Sequence, residues 1–153
     1  MTSTLSAQDQ YIIIVISEFN AKITDRLLKG AQDAYSHYNG LESNLKIYRV
    51  PGAFEIPGTI HQIIKQYHPD AIIALGAVIR GETAHFDFVA RESAHGISQL
   101  SRNTDIPIIN GILTTDNGAQ AIVRSEPGGR NKGWDSMEAA LQTISVYREI
   151  QTA

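Results

Sequence analysis

The chain has 153 residues, 42% of them apolar and 19% charged, with a formal charge of −3 and no cysteine. That composition excludes an intrinsically disordered chain, and the length suits one domain with a core of its own. Without cysteine there is no disulfide framework, no thiolate metal site and no Cys nucleophile, which fits a cytoplasmic setting. No cluster of Lys and Arg offers a nucleic-acid surface. The longest apolar run, Tyr11 to Ile16, is far shorter than the roughly 20 residues of a membrane span, so no membrane partner is expected. Residues 1–10 are polar and lack the basic start of a secretion signal; they read as a flexible lead-in to a single domain over 1–153.

Strand and helix patterns then alternate along the chain. YIIIVIS (11–17) is a β-branched run that reads as a strand buried on both faces. Ile23, Leu27, Ala31, Ala34 and Tyr38 mark one face of a helix over about 21–38, stopped by Gly40. NLKIYRV (44–50) is a second strand whose looser alternation places it at an edge. Ile56, Ile60, Ile63, Ile64 and Tyr67 mark a second helix, with Pro57 in its first turn and Pro69 past its end. DAIIALGAVI (70–79) is a third strand. Phe86, Val89, Ala90, Ser93, Ile97 and Leu100 mark a third helix. IPIINGILTT (106–115) is the fourth strand, with Pro107 at its start because it lacks an N–H. A short helix is expected from Asn117 to Arg124, and a fifth over about 134–150 through Met137, Leu141 and Ile144.

Strands alternating with helices imply right-handed crossovers and a parallel sheet covered on both faces. The expected architecture is an α/β flavodoxin-like three-layer sandwich, a four-stranded parallel sheet flanked by about five helices. Ligands of such sheets bind beyond the carboxyl ends of the strands. The segments that matter are therefore 18–20, 51–55, 80–85 and 114–118.

Each segment admits two readings. Phe19 is either a stacking platform for a flat ligand or a core plug, and Asn20 is a helix N-cap in both cases. Gly52 and Ala53 allow close backbone approach. Glu55 either accepts hydrogen bonds from a ligand or complements a helix dipole. The run Gly76 to His85 looks like a P-loop, but Glu82 stands where that motif needs Lys. What remains is a helix start suited to anions and His85, either a proton carrier or a surface residue. His37, His61, His68 and His95 fall on helices without metal-ligand spacing and read as solvated. Arg124 and the turn Gly128 to Asp135 suggest phosphate, or an ordinary interhelix loop.

Taken together, Ser17-Glu18-Phe19-Asn20, Val50-Pro51-Gly52-Ala53-Phe54-Glu55-Ile56-Pro57, the run Ala74 to Asp87, Gly111-Ile112-Leu113-Thr114-Thr115 and Asn131-Lys132-Gly133 resemble the lumazine synthase family, in order and spacing, over about residues 11–148. The resemblance implies condensation of 5-amino-6-(D-ribitylamino)uracil with 3,4-dihydroxy-2-butanone 4-phosphate to 6,7-dimethyl-8-ribityllumazine, with loss of phosphate and water. It implies no cofactor and no metal. By position, Phe19 stacks on the pyrimidine, Ala53, Phe54 and Glu55 bind the ribityl chain, and Ala77, Val78 and Ile79 hold the pyrimidine edge by backbone. Glu82, Thr83 and Arg124 bind the butanone phosphate, and His85 donates and accepts protons. Lys132 and Asp135 lie near the site, with Asp135 orienting His85.

One position departs from the family. Asn110 stands where an aromatic from a neighbouring subunit commonly covers the far face of the pyrimidine, so stacking there is weaker by about 1 kcal/mol. The resemblance further implies a homopentamer with sites at subunit interfaces, in some members built into sixty-subunit shells, and riboflavin synthase as a possible partner. The competing reading is a non-catalytic lumazine- or flavin-binding protein of the same fold.

Overall fold

The computed structural model describes residues 5–81 and 84–153. Four strands form one parallel sheet: β1 (Ile12–Ser17), β2 (Leu45–Val50), β3 (Ala71–Ile79) and β4 (Ile108–Thr115), in the order β2-β1-β3-β4. The helices are α1 (Ala21–His37), α2 (Ile56–Gln66), α3 (His85–Arg102), α4 (Gly118–Val123) and α5 (Lys132–Thr152). A three-residue turn of 3-10 helix precedes β2 and another, Ala53–Glu55, leads into α2. This is the three-layer α/β architecture that the sequence predicts.

The layers follow from the two-residue period of the strands. Ile12, Ile14 and Ile16 of β1, with Ile73 and Leu75 of β3, bury themselves against α1 and α5. Ile13 and Val15, with Ile72, Ala74 and Val78, pack on the other face against α2 and α3. Each fully buried isoleucine stabilises the sheet by roughly 1.5–3 kcal/mol. β2 keeps only one buried residue, Val50, as its edge position requires.

Three local readings are corrected. Residues 5–10 are no loose lead-in: Ala7 is buried, its N–H donates to the Tyr38 carbonyl (2.7 Å), and the Gln10 carbonyl accepts the Tyr35 hydroxyl. His68 lies past the end of α2, although all four histidines read as solvated are indeed exposed. The last helix starts at Lys132, two residues before the expected start at about 134. Gly133 in its first turn is a poor helix former, but a Cβ there would collide with the Leu27 carbonyl oxygen of α1. Gly133 is therefore what allows α1 and α5 to meet.

Asn131 makes that start possible. It is buried, its Oδ1 accepts the Trp134 N–H (3.0 Å), and its Nδ2 donates to the carbonyls of Arg26 (3.1 Å) and Ser125 (3.0 Å). One side chain thus caps α5, ties it to α1 and holds the end of α4. Asn131→Ala should lower the stability of the fold by about 2–4 kcal/mol, read from chemical denaturation, because a cap and two buried carbonyl partners go together.

Candidate functional site

The cleft beyond the strand ends exists because β3 outruns its neighbour. Pairing of β1 with β3 stops at Ile16 and Leu75, whereas β3 and β4 stay paired to Ile79 and Thr115. After Ser17 the chain turns toward β2: Glu18 N–H donates to Val50 O (2.8 Å) and Phe19 N–H to Pro51 O (3.0 Å). The flank of Ala77, Val78 and Ile79 is left without a neighbouring strand. A cleft of about 480 Å³ opens there, lined also by Phe19, Ala53, Phe54, Glu55 and His85.

The walls are aromatic. All four phenylalanines of the chain, Phe19, Phe54, Phe86 and Phe88, line this one cleft. Phe19 is 71% exposed, which rules out a core plug and leaves a ring free to stack. Phe54 and Phe88 lie nearly parallel, 18° between planes with centroids 5.8 Å apart, so each braces the other. Phe88 carried no sequence signal of this role, since it falls off the apolar stripe of α3.

Asn20 has a different job from the one predicted. It precedes α1 in the left-handed region (φ 63°), and its side chain makes no cap bond. Its Nδ2 instead donates to Ala77 O at 2.9 Å, taking up a carbonyl on the flank that β1 leaves bare. An N-cap needs an extended backbone, which Asn20 lacks. Asn is one of the few residues that enters the left-handed region at modest cost.

The charges divide in an instructive way. Arg80, at the end of β3, is paired twice: with Asp116 (3.1 Å) and with Asp87 (3.4 Å), while its guanidinium lies over the Phe86 ring (4.5 Å). The bond to Asp116 and the charge of Asp87 hold its pKa above the usual guanidinium range. His85 is the first residue of α3 and is exposed at the cleft. Glu55 sits at the start of α2 and lines the same cleft. Glu82 and Thr83 lie outside the described residues.

Arg124, Lys132 and Asp135 are elsewhere. With Arg130 and the outer part of β4 they line a second cavity of about 320 Å³. Lys132 N–H donates to Arg124 O (2.9 Å), which locks the two together. Asn110 faces a third, polar hollow between β4 and α3, where its Oδ1 accepts the Ile112 N–H (3.0 Å) of the open edge strand. Within one chain, then, Asp135 does not share a cavity with His85 as the resemblance implied, and neither does Arg124. The cleft opens on the α2 and α3 side over β1 and β3, whereas the cationic cavity hangs from the β4 edge.

These features define a class: an α/β protein that binds a flat, small organic ligand over the strand ends of a parallel sheet. Comparison with known proteins narrows it. The profile of the 6,7-dimethyl-8-ribityllumazine synthase family matches residues 9–148, and the chain belongs to that family. It is 44% identical to the 6,7-dimethyl-8-ribityllumazine synthase of Chloroherpeton thalassium over 146 residues, 95% of this chain and 94% of the relative. The synthase so named in Nautilia profundicola is 44% identical over 142 residues, 93% and 92% of the two chains. That of Campylobacter hominis is 43% identical over 148 residues, 97% and 94%.

The Asn20 geometry is open to direct measurement. Asn20→Ala should cost about 2 kcal/mol in chemical denaturation, from a lost hydrogen bond and a left-handed alanine. Asn20→Gly should cost about half that, because glycine adopts the same backbone freely.

Proposed function

We propose that the chain condenses 5-amino-6-(D-ribitylamino)uracil with 3,4-dihydroxy-2-butanone 4-phosphate to 6,7-dimethyl-8-ribityllumazine, the penultimate step of riboflavin biosynthesis. The observation that carries this is that Phe19, Ala53–Glu55, Ala77–Ile79 and His85 converge on one cleft. An aromatic face, an open strand flank and an imidazole are what a polar flat ring with an amine to condense requires.

The roles are those that the family pattern implies, and the residues lining the cleft are compatible with them. Phe19 stacks on the pyrimidine, whose donors and acceptors meet the strand flank along Ala77, Val78 and Ile79 that β1 leaves bare, apart from the Ala77 carbonyl that Asn20 occupies. Ala53, Phe54 and Glu55 take the ribityl chain, with Glu55 accepting from its hydroxyls. His85 moves the protons: the amine loses one as it adds to the ketone, water departs as the imine forms, phosphate leaves the carbon chain, and ring closure expels water again. One imidazole can serve as donor and acceptor in successive steps of this kind. Much of the acceleration comes from holding two reactants together.

The phosphate requires positive charge, and among the described residues lining the cleft there is no Arg or Lys. Arg80 lies close by but is neutralised by two carboxylates. We therefore assign the site to an interface between copies of the chain, which the family resemblance makes that of a homopentamer, and in which Arg124, Lys132 and Asp135 of one copy complete the cleft of the next and Asn110 approaches the far side of the ring. Glu82 and Thr83 belong to the phosphate end by position in the family pattern. No described helix is long and apolar enough to cross a membrane. A cytoplasmic setting is part of the same proposal, and the cysteine-free sequence is compatible with it.

Mixing the two substrates and following the product by its fluorescence tests the activity. His85→Ala should lower kcat by roughly 10²–10⁴; a loss under threefold would remove the acid–base role. Arg124→Ala should raise KM for the butanone phosphate far more than for the uracil. When the two variants are unfolded and reassembled together, some interfaces regain an intact imidazole and guanidinium, so activity should partly return. No recovery from well-formed mixed oligomers would place both groups in one chain's site.

A further inference from the structure

The cationic cavity holds one more positive side chain than the family pattern assigns. Arg130 lines it together with Arg124 and Lys132, opposite the single carboxylate Asp135. Among the described residues none of these three cations has a carboxylate within ion-pair distance, whereas Arg49 and Arg148 each have one and Arg80 has two. Two positive charges are left uncompensated. Without Arg130 only one would be.

We propose that Arg130 is a second phosphate-binding guanidinium that matches the site to a phosphate dianion. This rests on the condensation reading above. A phosphate monoester carries about 1.5 to 2 negative charges at neutral pH, so the cavity's surplus equals that of a dianion only with Arg130 counted. Its backbone is well placed for the task. Gly128 (φ 72°) turns the chain, Gly129 N–H returns to Glu126 O (3.2 Å), and the next residue, Asn131, is buried and anchored by three hydrogen bonds. Arg130 thus projects from a fixed point, two residues before the start of α5, and its planar fork can meet two phosphate oxygens at once.

Orthophosphate is the probe. Its affinity for the assembled protein, titrated by calorimetry, should fall roughly tenfold in Arg130→Gln, the loss of a charged hydrogen-bonding pair. KM for the butanone phosphate should rise by a similar factor while KM for the uracil changes less than twofold. Arg130→Lys should recover part of the loss, since it restores charge without the fork. The thermal midpoint should not move, because Arg130 is exposed. Unchanged orthophosphate affinity in Arg130→Gln, or equal effects on both KM values, would overturn the assignment. If the wild-type protein binds orthophosphate through Arg130 yet forms no lumazine, the charge match stands and the condensation reading falls. If turnover is normal and Arg130→Gln is indistinguishable from wild type, this inference falls alone.

Discussion

The whole site depends on a strand that runs on after its neighbour has left. β1 ends at Ser17 and its continuation follows β2, while β3 goes on to Ile79. Backbone donors and acceptors on that flank have to be satisfied by something. Asn20 takes up one carbonyl, that of Ala77, by reaching across with its amide. The rest form the floor of a cleft whose walls are phenylalanine. A polar floor under aromatic walls selects a ligand with a flat face and a hydrogen-bonding edge, and the family to which the chain belongs acts on such a ring in the proposed reaction.

Charge is sorted by the same layering. On the cleft side, Arg80 is held by Asp87 and Asp116 and lies over Phe86, so it braces the start of α3 and adds little free positive charge. On the β4 side, Arg124, Arg130 and Lys132 are left without carboxylate partners among the described residues. The protein as a whole is mildly acidic, so its overall field does not draw an anion in. Only a local group of unpaired cations can do that. Their distance from the imidazole of the same chain is what makes a second copy part of the chemistry in our proposal.

The two halves are held rigid by ordinary packing. Gly133 lets α5 lie against the backbone of α1, and Asn131 ties the end of α4, the body of α1 and the start of α5 to one another. The cationic cavity is therefore built on anchored backbone although its side chains are partly exposed. The cleft gains similar support from the braced pair Phe54 and Phe88.

The sequence by itself determined the order and identity of the elements, because apolar β-branched runs and helical stripes are local patterns, and the quoted motifs carried the family. It also marked Phe19, Glu55 and His85 as candidates, since the carboxyl ends of parallel strands are where ligands bind. The tertiary structure alone decided what depends on neighbours distant in the chain. Phe19 became an exposed ring because β1 turns toward β2, and Asn20 took a left-handed backbone because Ala77 needed a donor. The start of α5 was hidden by a glycine whose purpose is contact with α1. That Arg124 and His85 line separate cavities could not be read from order along the chain, for it follows from which side of the sheet each connection crosses.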